Sequence, residues 1–174
     1  ATVLVLVVVG LAAVWVLPRY RGGPPPVPAQ ASLGQPAPDF QVVDVQGQSV
    51  ALAALKGRYV VLEWWNHGCP FVKAQYDEGR MQKQQEMWTA RGAAWLTICS
   101  SAPGKQGYVS PEEAQKILAE AGARPTHVLL DPEGTLGGQY GARTTPHMFV
   151  IDPQGVLIYA GAIDDRGSRN YVQQ

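Results

Sequence analysis

Val60-Val61-Leu62-Glu63-Trp64-Trp65-Asn66-His67-Gly68-Cys69-Pro70-Phe71-Val72 is the stretch that decides the fold of this chain. Tyr59 to Trp65 is a short β-branched and aromatic run of the kind that forms a strand buried on both faces, and Asn66-His67-Gly68 ends it in a turn. Cys69 is followed at once by Pro70. Proline is best tolerated in the first turn of a helix, where its missing N–H is not needed. Strand, turn, cysteine and proline in this order predict a sulfur at a helix N-terminus, where free N–H groups and the helix dipole favour a thiolate. Read this way Cys69 is a nucleophile; read as an isolated free cysteine it is a small buried hydrophobe.

Working outward, Phe40 to Asp44 and Ser49 to Leu52 flank Gln46-Gly47-Gln48 and predict an N-terminal β-hairpin. After Pro70 a helical pattern runs toward Arg91, bent near Gly79 and closed by Gly92. Ala93 to Cys99 reads as the next strand and Ser100 to Val109 as a polar loop. Ser110-Pro111-Glu112-Glu113 is a capping box that opens a second helix over about Pro111 to Ala121. His127 to Leu130 is a short strand and Asp131-Pro132-Glu133-Gly134 a turn. Pro146 to Ile151 and Val156 to Ala160 form a closing hairpin through Asp152-Pro153-Gln154-Gly155. Alternating strands and helices followed by a hairpin predict an α/β chain with a central mixed β-sheet flanked by helices, parallel in one half and antiparallel in the other. This is the layout of the thioredoxin-like fold.

A chain of 174 residues with 46% hydrophobic content builds one domain with a full core. The 14 basic and 14 acidic residues balance, so composition gives no case for a nucleic-acid partner. Two cysteines without Cys-x-x-Cys or finger spacing exclude a disulfide framework and argue against structural zinc. No cofactor is expected. Ala1 to Leu17 is an uncharged run of 17 residues, at the short end of what spans a bilayer, and reads as a membrane anchor or signal segment. Pro18-Arg19-Tyr20-Arg21 stands where a signal peptide shows small residues for cleavage, which favours an uncleaved anchor. Residues 18–32 are a Pro/Gly-rich linker, and residues 33–174 are the globular domain. Ser168 to Gln174 reads as the first turns of a helix, and both ends of the chain are expected to be truncated. The domain is expected on the periplasmic or extracytoplasmic side of a membrane, or exported, although Arg19 and Arg21 taken alone favour a cytoplasmic side.

Leu33-Gly34-Gln35-Pro36-Ala37-Pro38-Asp39-Phe40, the segment around Cys69, and Gly141 to Asp152 resemble a thioredoxin-like redoxin of the alkyl hydroperoxide reductase and thiol-specific antioxidant family. Asn66 to Val72, Ser100 to Tyr108, Thr144 to Phe149 and Gly161 to Asp165 resemble, more narrowly, a peroxiredoxin-like subgroup. The resemblance covers about Leu33 to Tyr171. It implies a thiol-dependent oxidoreductase with Cys69 as the attacking residue and a cis Thr145–Pro146 bond facing it. Read from the chain alone, Pro146 is a proline at the start of a strand. In thioredoxins a second cysteine follows three residues after the first, but Val72 stands there, so no local dithiol can form. Typical peroxiredoxins carry threonine three residues before the cysteine and proline seven before it; here these are Asn66 and Leu62.

A thiolate attacks either a peroxide oxygen or a disulfide sulfur, and both reactions need a second thiol. The expected partners are therefore a peroxide substrate or a protein thiol or disulfide. Cys99, closing the neighbouring strand, is a candidate resolving thiol or a buried strand cysteine. A partner protein, or the late cysteine that subgroup members often carry after a further helix, would serve equally. His67 is placed to hydrogen-bond the thiolate or to sit solvated in the loop. Arg143 is placed to supply positive charge or to be a surface arginine. Trp64 and Trp65 read as packing, Asp164 and Asp165 as caps of the terminal helix, and His127 as a satisfied core histidine. Two alternatives stand beside the oxidoreductase: a non-catalytic binding module on the same fold, and a Cu- or Zn-handling protein using Cys69 with His67 and His147.

Overall fold

Burial on both faces of one strand sets the architecture. In the computed structural model, which describes residues 30–164, β3 (Val60–Trp64) is buried at every position. It lies in the middle of a five-stranded sheet of order β5-β4-β3-β6-β7. The other strands are β4 (Ala94–Cys99), β5 (His127–Leu130), β6 (His147–Ile151) and β7 (Leu157–Gly161). β3 runs parallel to β4, and β4 to β5; β3 is antiparallel to β6, and β6 to β7. Leu62 thus has Leu96 on one side and Phe149 on the other. An antiparallel pair, β1 (Gln41–Val43) and β2 (Ser49–Ala51), precedes them and leads into a short 3-10 turn at Leu52–Leu55. The expected mixed sheet and N-terminal hairpin are both present.

Alternation along β3 divides the core in two. Val60, Leu62 and Trp64 pack with Leu96, Phe149 and Ile151 beneath Leu52, Leu55 and Tyr140. Val61 and Trp65 pack on the opposite face with Trp95 and Met148 beneath Val72, Tyr76, Met81 and Leu118. That second layer comes from α1 (Pro70–Asp77), α2 (Arg80–Thr89) and α3 (Pro111–Glu120). The single bent helix expected toward Arg91 is two helices, because Gly79 adopts φ +67°, a left-handed conformation that breaks the helix at little steric cost. α3 starts on the expected capping box: Ser110 Oγ accepts from Glu113 N at 3.2 Å, and Glu113 Oε2 accepts from Ser110 N at 2.7 Å.

The buried run of β3 contains one carboxyl, Glu63, which is fully enclosed. Four donors converge on it: Trp95 Nε1 at 2.8 Å, Thr97 Oγ1 at 3.0 Å and Gln85 Nε2 at 3.2 Å on Oε2, and Tyr76 OH at 2.8 Å on Oε1. Burial pushes the Glu63 pKa up, against the pull of these donors. The same enclosure, reinforced by the Glu63 charge, raises the Tyr76 hydroxyl well above its usual range.

α4 (Thr135–Tyr140) was not expected from the sequence. Its sequence contains Gly137 and Gly138, poor helix formers, and the buried Asp131 carboxylate holds its start. Leu136 N donates to Oδ1 at 3.1 Å, and Gly137 N and Ser100 Oγ donate to Oδ2 at 2.9 and 2.6 Å. Ser100 Oγ in turn accepts from Trp64 Nε1 at 3.0 Å. A Cβ on Gly137 would stand 3.1 Å from that hydroxyl, so glycine allows the close approach.

The segment before β1 runs along the sheet from one edge toward the other. Ala31 N donates to Gln139 O at 2.9 Å, and Gly34 and Gln35 exchange bonds with Leu157 at the start of β7. Beyond β1, Val45 N donates to Val128 O at 3.0 Å and Asp44 bridges Leu129 on β5. His127 Nδ1 lies 2.9 Å from Asp44 Oδ2. The histidine is satisfied as expected, but it is half-buried rather than in the core. Burial alone would raise the Asp44 pKa; the His127 bond and the amides of Gln48 and Gln46 outweigh it and hold the carboxyl low.

The expected anchor Ala1 to Leu17, the linker as far as residue 29, Asp165 and the terminal helix from Ser168 lie outside the described residues. Among the described residues no helix is long and apolar enough to cross a membrane.

Candidate active site

Cys69 is the N-cap of α1, extended at φ −78° and ψ 124°, with Pro70 as the first helical residue. Its amide closes the turn by donating to Asn66 O at 3.0 Å, and its carbonyl accepts from Lys73 N at 2.9 Å as the helix begins. The side chain is half-buried. Its sulfur donates to Thr145 O at 3.1 Å, and the Thr145–Pro146 peptide bond is cis. The turn after β3 and the loop before β6 therefore meet at the thiol, although 76 residues separate Cys69 from Thr145.

Asn66 is occupied within the turn. Its Oδ1 accepts from Gly68 N at 2.8 Å, and its Nδ2 donates to Gln106 O at 3.2 Å. Gln106 returns the contact by donating from Nε2 to Gly68 O at 3.0 Å. Gly107 seals this clasp: its φ is +83°, and a Cβ there would stand 2.3 Å from the Asn66 side chain. The clasp holds the loop Ser100 to Val109 over Cys99, which is buried and donates from its sulfur to Gly107 O at 3.3 Å. Cys69 and Cys99 thus border one core cluster but point their thiols at different loops.

His67 does not hydrogen-bond Cys69. Its ring lies 5.8 Å from Trp65, and among the described residues its buried Nδ1 has no hydrogen-bond partner. It lines a cleft with Tyr108, Val109 and Ile117, on the α3 side of the turn. The His147 ring lies tilted against Phe149 with centroids 4.5 Å apart, and its Nδ1 accepts from Arg143 N at 3.4 Å. Burial, then the Arg143 charge, lower the His147 pKa and favour the neutral ring. Among the described residues no three His, Cys, Asp or Glu side chains gather to hold a metal. The Cu- or Zn-handling alternative built on Cys69, His67 and His147 is therefore corrected, since the two histidines are turned to separate neighbours.

Arg143 and Thr145 line a cleft of about 230 Å³ beside Trp65 and Asn66. The turn residues are joined by one that the sequence analysis did not single out, Gln106, whose pairing with Asn66 spans 40 residues and leaves no local pattern.

Residues 33–160 match the AhpC/TSA family. The thiol:disulfide interchange protein DsbE of Escherichia coli (strain K12) is 26% identical over 165 residues, covering 92% of this chain and 82% of that protein. HelX of Rhodobacter capsulatus, another thiol:disulfide interchange protein, is 26% identical over 133 residues, covering 68% and 73%. Among solved structures, an uncharacterized conserved protein from Geobacillus kaustophilus aligns at TM-score 0.71 and 28% identity, covering 80% of this chain and 73% of its own. The exposed lipoprotein thioredoxin Etrx1 of Streptococcus pneumoniae aligns at TM-score 0.56 and 25% identity, covering 78% and 95%.

Proposed function

We propose, on the premise that this chain belongs to the AhpC/TSA family, that it is a thiol-disulfide oxidoreductase whose Cys69 attacks the disulfide of a partner protein. The observation that carries this reading is the half-buried Cys69 thiol at the start of α1, set against the carbonyl that precedes cis Pro146. The interchange activity named for DsbE and HelX supports it.

In the first step the Cys69 thiolate forms a bond to one partner sulfur, the partner S–S bond breaks, and the other partner cysteine leaves as a thiolate. A second thiol then attacks the mixed disulfide at the Cys69 sulfur, the partner cysteine leaves as a thiolate so that the partner is fully reduced, and a further thiol of the same donor protein displaces Cys69 as a thiolate while the donor closes its own disulfide. Val72 excludes a neighbour on α1 from that role, and Cys99 is buried behind the clasped loop. The second thiol in this reading comes from a partner protein. Peroxide reduction is the weaker reading, because the Asn66 side chain is committed to Gly68 and Gln106 and does not stand free to orient a peroxide.

Incubating the reduced protein with a disulfide-bonded partner is expected to trap a mixed disulfide, visible on non-reducing gels, that disappears in C69S. In C99S the adduct is expected to keep its lifetime; a longer-lived adduct would move the resolving role to Cys99. Fast hydrogen peroxide consumption, dependent on Cys69 and indifferent to any disulfide, would restore the peroxidase reading.

The same proposal puts the domain on the extracytoplasmic side of a membrane, tethered by Ala1 to Leu17. The pneumococcal relative, named an exposed lipoprotein, supports an extracytoplasmic place. Cell fractionation is expected to recover the chain with membranes; soluble protein beginning near Ser32 would show a cleaved signal segment instead.

A further inference from the structure

The cleft beside Thr145 has a composition that packing does not explain. Among the described residues Arg143 is the one charged residue that lines it, and Ser101, Thr144 and Thr145 add hydroxyl groups. Among the described residues Arg143 makes no ion pair, and those three hydroxyls make no hydrogen bond. The Asp131 carboxylate beside Gly137 is already committed to Ser100, Leu136 and Gly137. Guanidinium and hydroxyl donors with no acceptor between them suit a carboxylate, and charge-assisted bonds from arginine to carboxylate are the strong ones. The volume, about 230 Å³, suits a side chain rather than a larger ligand. Thr145 joins the cleft to the chemistry, since its carbonyl accepts from the Cys69 sulfur at 3.1 Å.

We propose that this cleft is the specificity subsite of the exchange reaction, and that it takes the carboxylate of an aspartate or glutamate carried beside the reactive cysteine of a partner protein. Arg143 is then a specificity-determining residue. The inference rests on the exchange reading, in which Cys69 is the attacking thiol.

Two synthetic peptides test it, each with one cysteine blocked as a pyridyl disulfide, one with glutamate and the other with glutamine next to that cysteine. Attack by Cys69 breaks the activated S–S bond and releases thiopyridone, whose absorbance gives the rate. The reduced full chain is expected to react about tenfold faster with the glutamate peptide at low salt. In R143Q that ratio is expected to fall to about one. In R58Q it is expected to stay, because Arg58 is exposed ahead of β3, at the opposite end of the strand from the thiol. A ratio unchanged in R143Q, or lost equally in R58Q, would overturn the subsite while leaving Cys69 chemistry intact. No Cys69-dependent release with either peptide would overturn the exchange reading itself, and the subsite with it.

Discussion

Replacing Glu63 with leucine is expected to destabilise the fold by about 4 kcal/mol or more, since each buried donor left without an acceptor costs roughly 1–3 kcal/mol. Trp95, Thr97 and Tyr76 would lose their acceptor in a site closed to water, and Gln85 would keep only its bond to the Tyr76 hydroxyl. Leucine fills much of the volume but satisfies none of them. Glutamine is the informative contrast, because its oxygen can keep the donors that now meet Oε2 while its amide donates to the Tyr76 hydroxyl. E63Q is expected to fold and to change the pH dependence. Burial raises the Glu63 pKa above 4.5, so the fold favours the protonated acid. Its contribution is fully present below the unfolded value and is lost as pH rises through the folded value. Denaturant unfolding across that window should show wild type losing stability relative to E63Q. A wild-type midpoint in E63L, or parallel pH profiles for wild type and E63Q, would refute this account.

Asp131→Ala is expected to lower stability by about 3 kcal/mol, because it strips the cap from a helix with little helical propensity of its own. The amides of Leu136 and Gly137 and the hydroxyl of Ser100 lose their acceptor together. Hydrogen exchange at Leu136 and Gly137 should quicken more than exchange in β3. The effect should also reach the candidate site, since the chain leaves α4 through Gly141 and Ala142 into Arg143 and Thr145. An unchanged melting temperature with both amides still protected would rule the cap out as the support of α4.

These two carboxyls also mark how far the sequence could be read. β3, the Cys69-Pro70 helix start and the Ser110 capping box were legible because their causes lie within a few residues: burial periodicity, a fixed proline φ, and an N-cap hydroxyl with its glutamate. Glu63 was not, because its partners are spread from Tyr76 to Thr97 over two helices and a strand. α4 was not legible because Gly137 and Gly138 argue against a helix, and Asp131, in the turn before it, is fixed in place by Ser100 from 31 residues away. At the site, Cys69 was legible in the residues around it, and Pro146 only through the family resemblance. The clasp of Asn66 with Gln106 was not, since only folding brings those loops together.

The segment that passes along the sheet, from Leu157 on β7 to Val128 and Leu129 on β5, touches both of its outer strands. An outer strand with open N–H and C=O groups is a template on which another chain can add, and natural proteins cover such templates to remain soluble. Here one continuous stretch covers such backbone groups at both margins of the sheet, at Leu157 on β7 and at Val128 and Leu129 on β5, with residues that stand apart from the thiol.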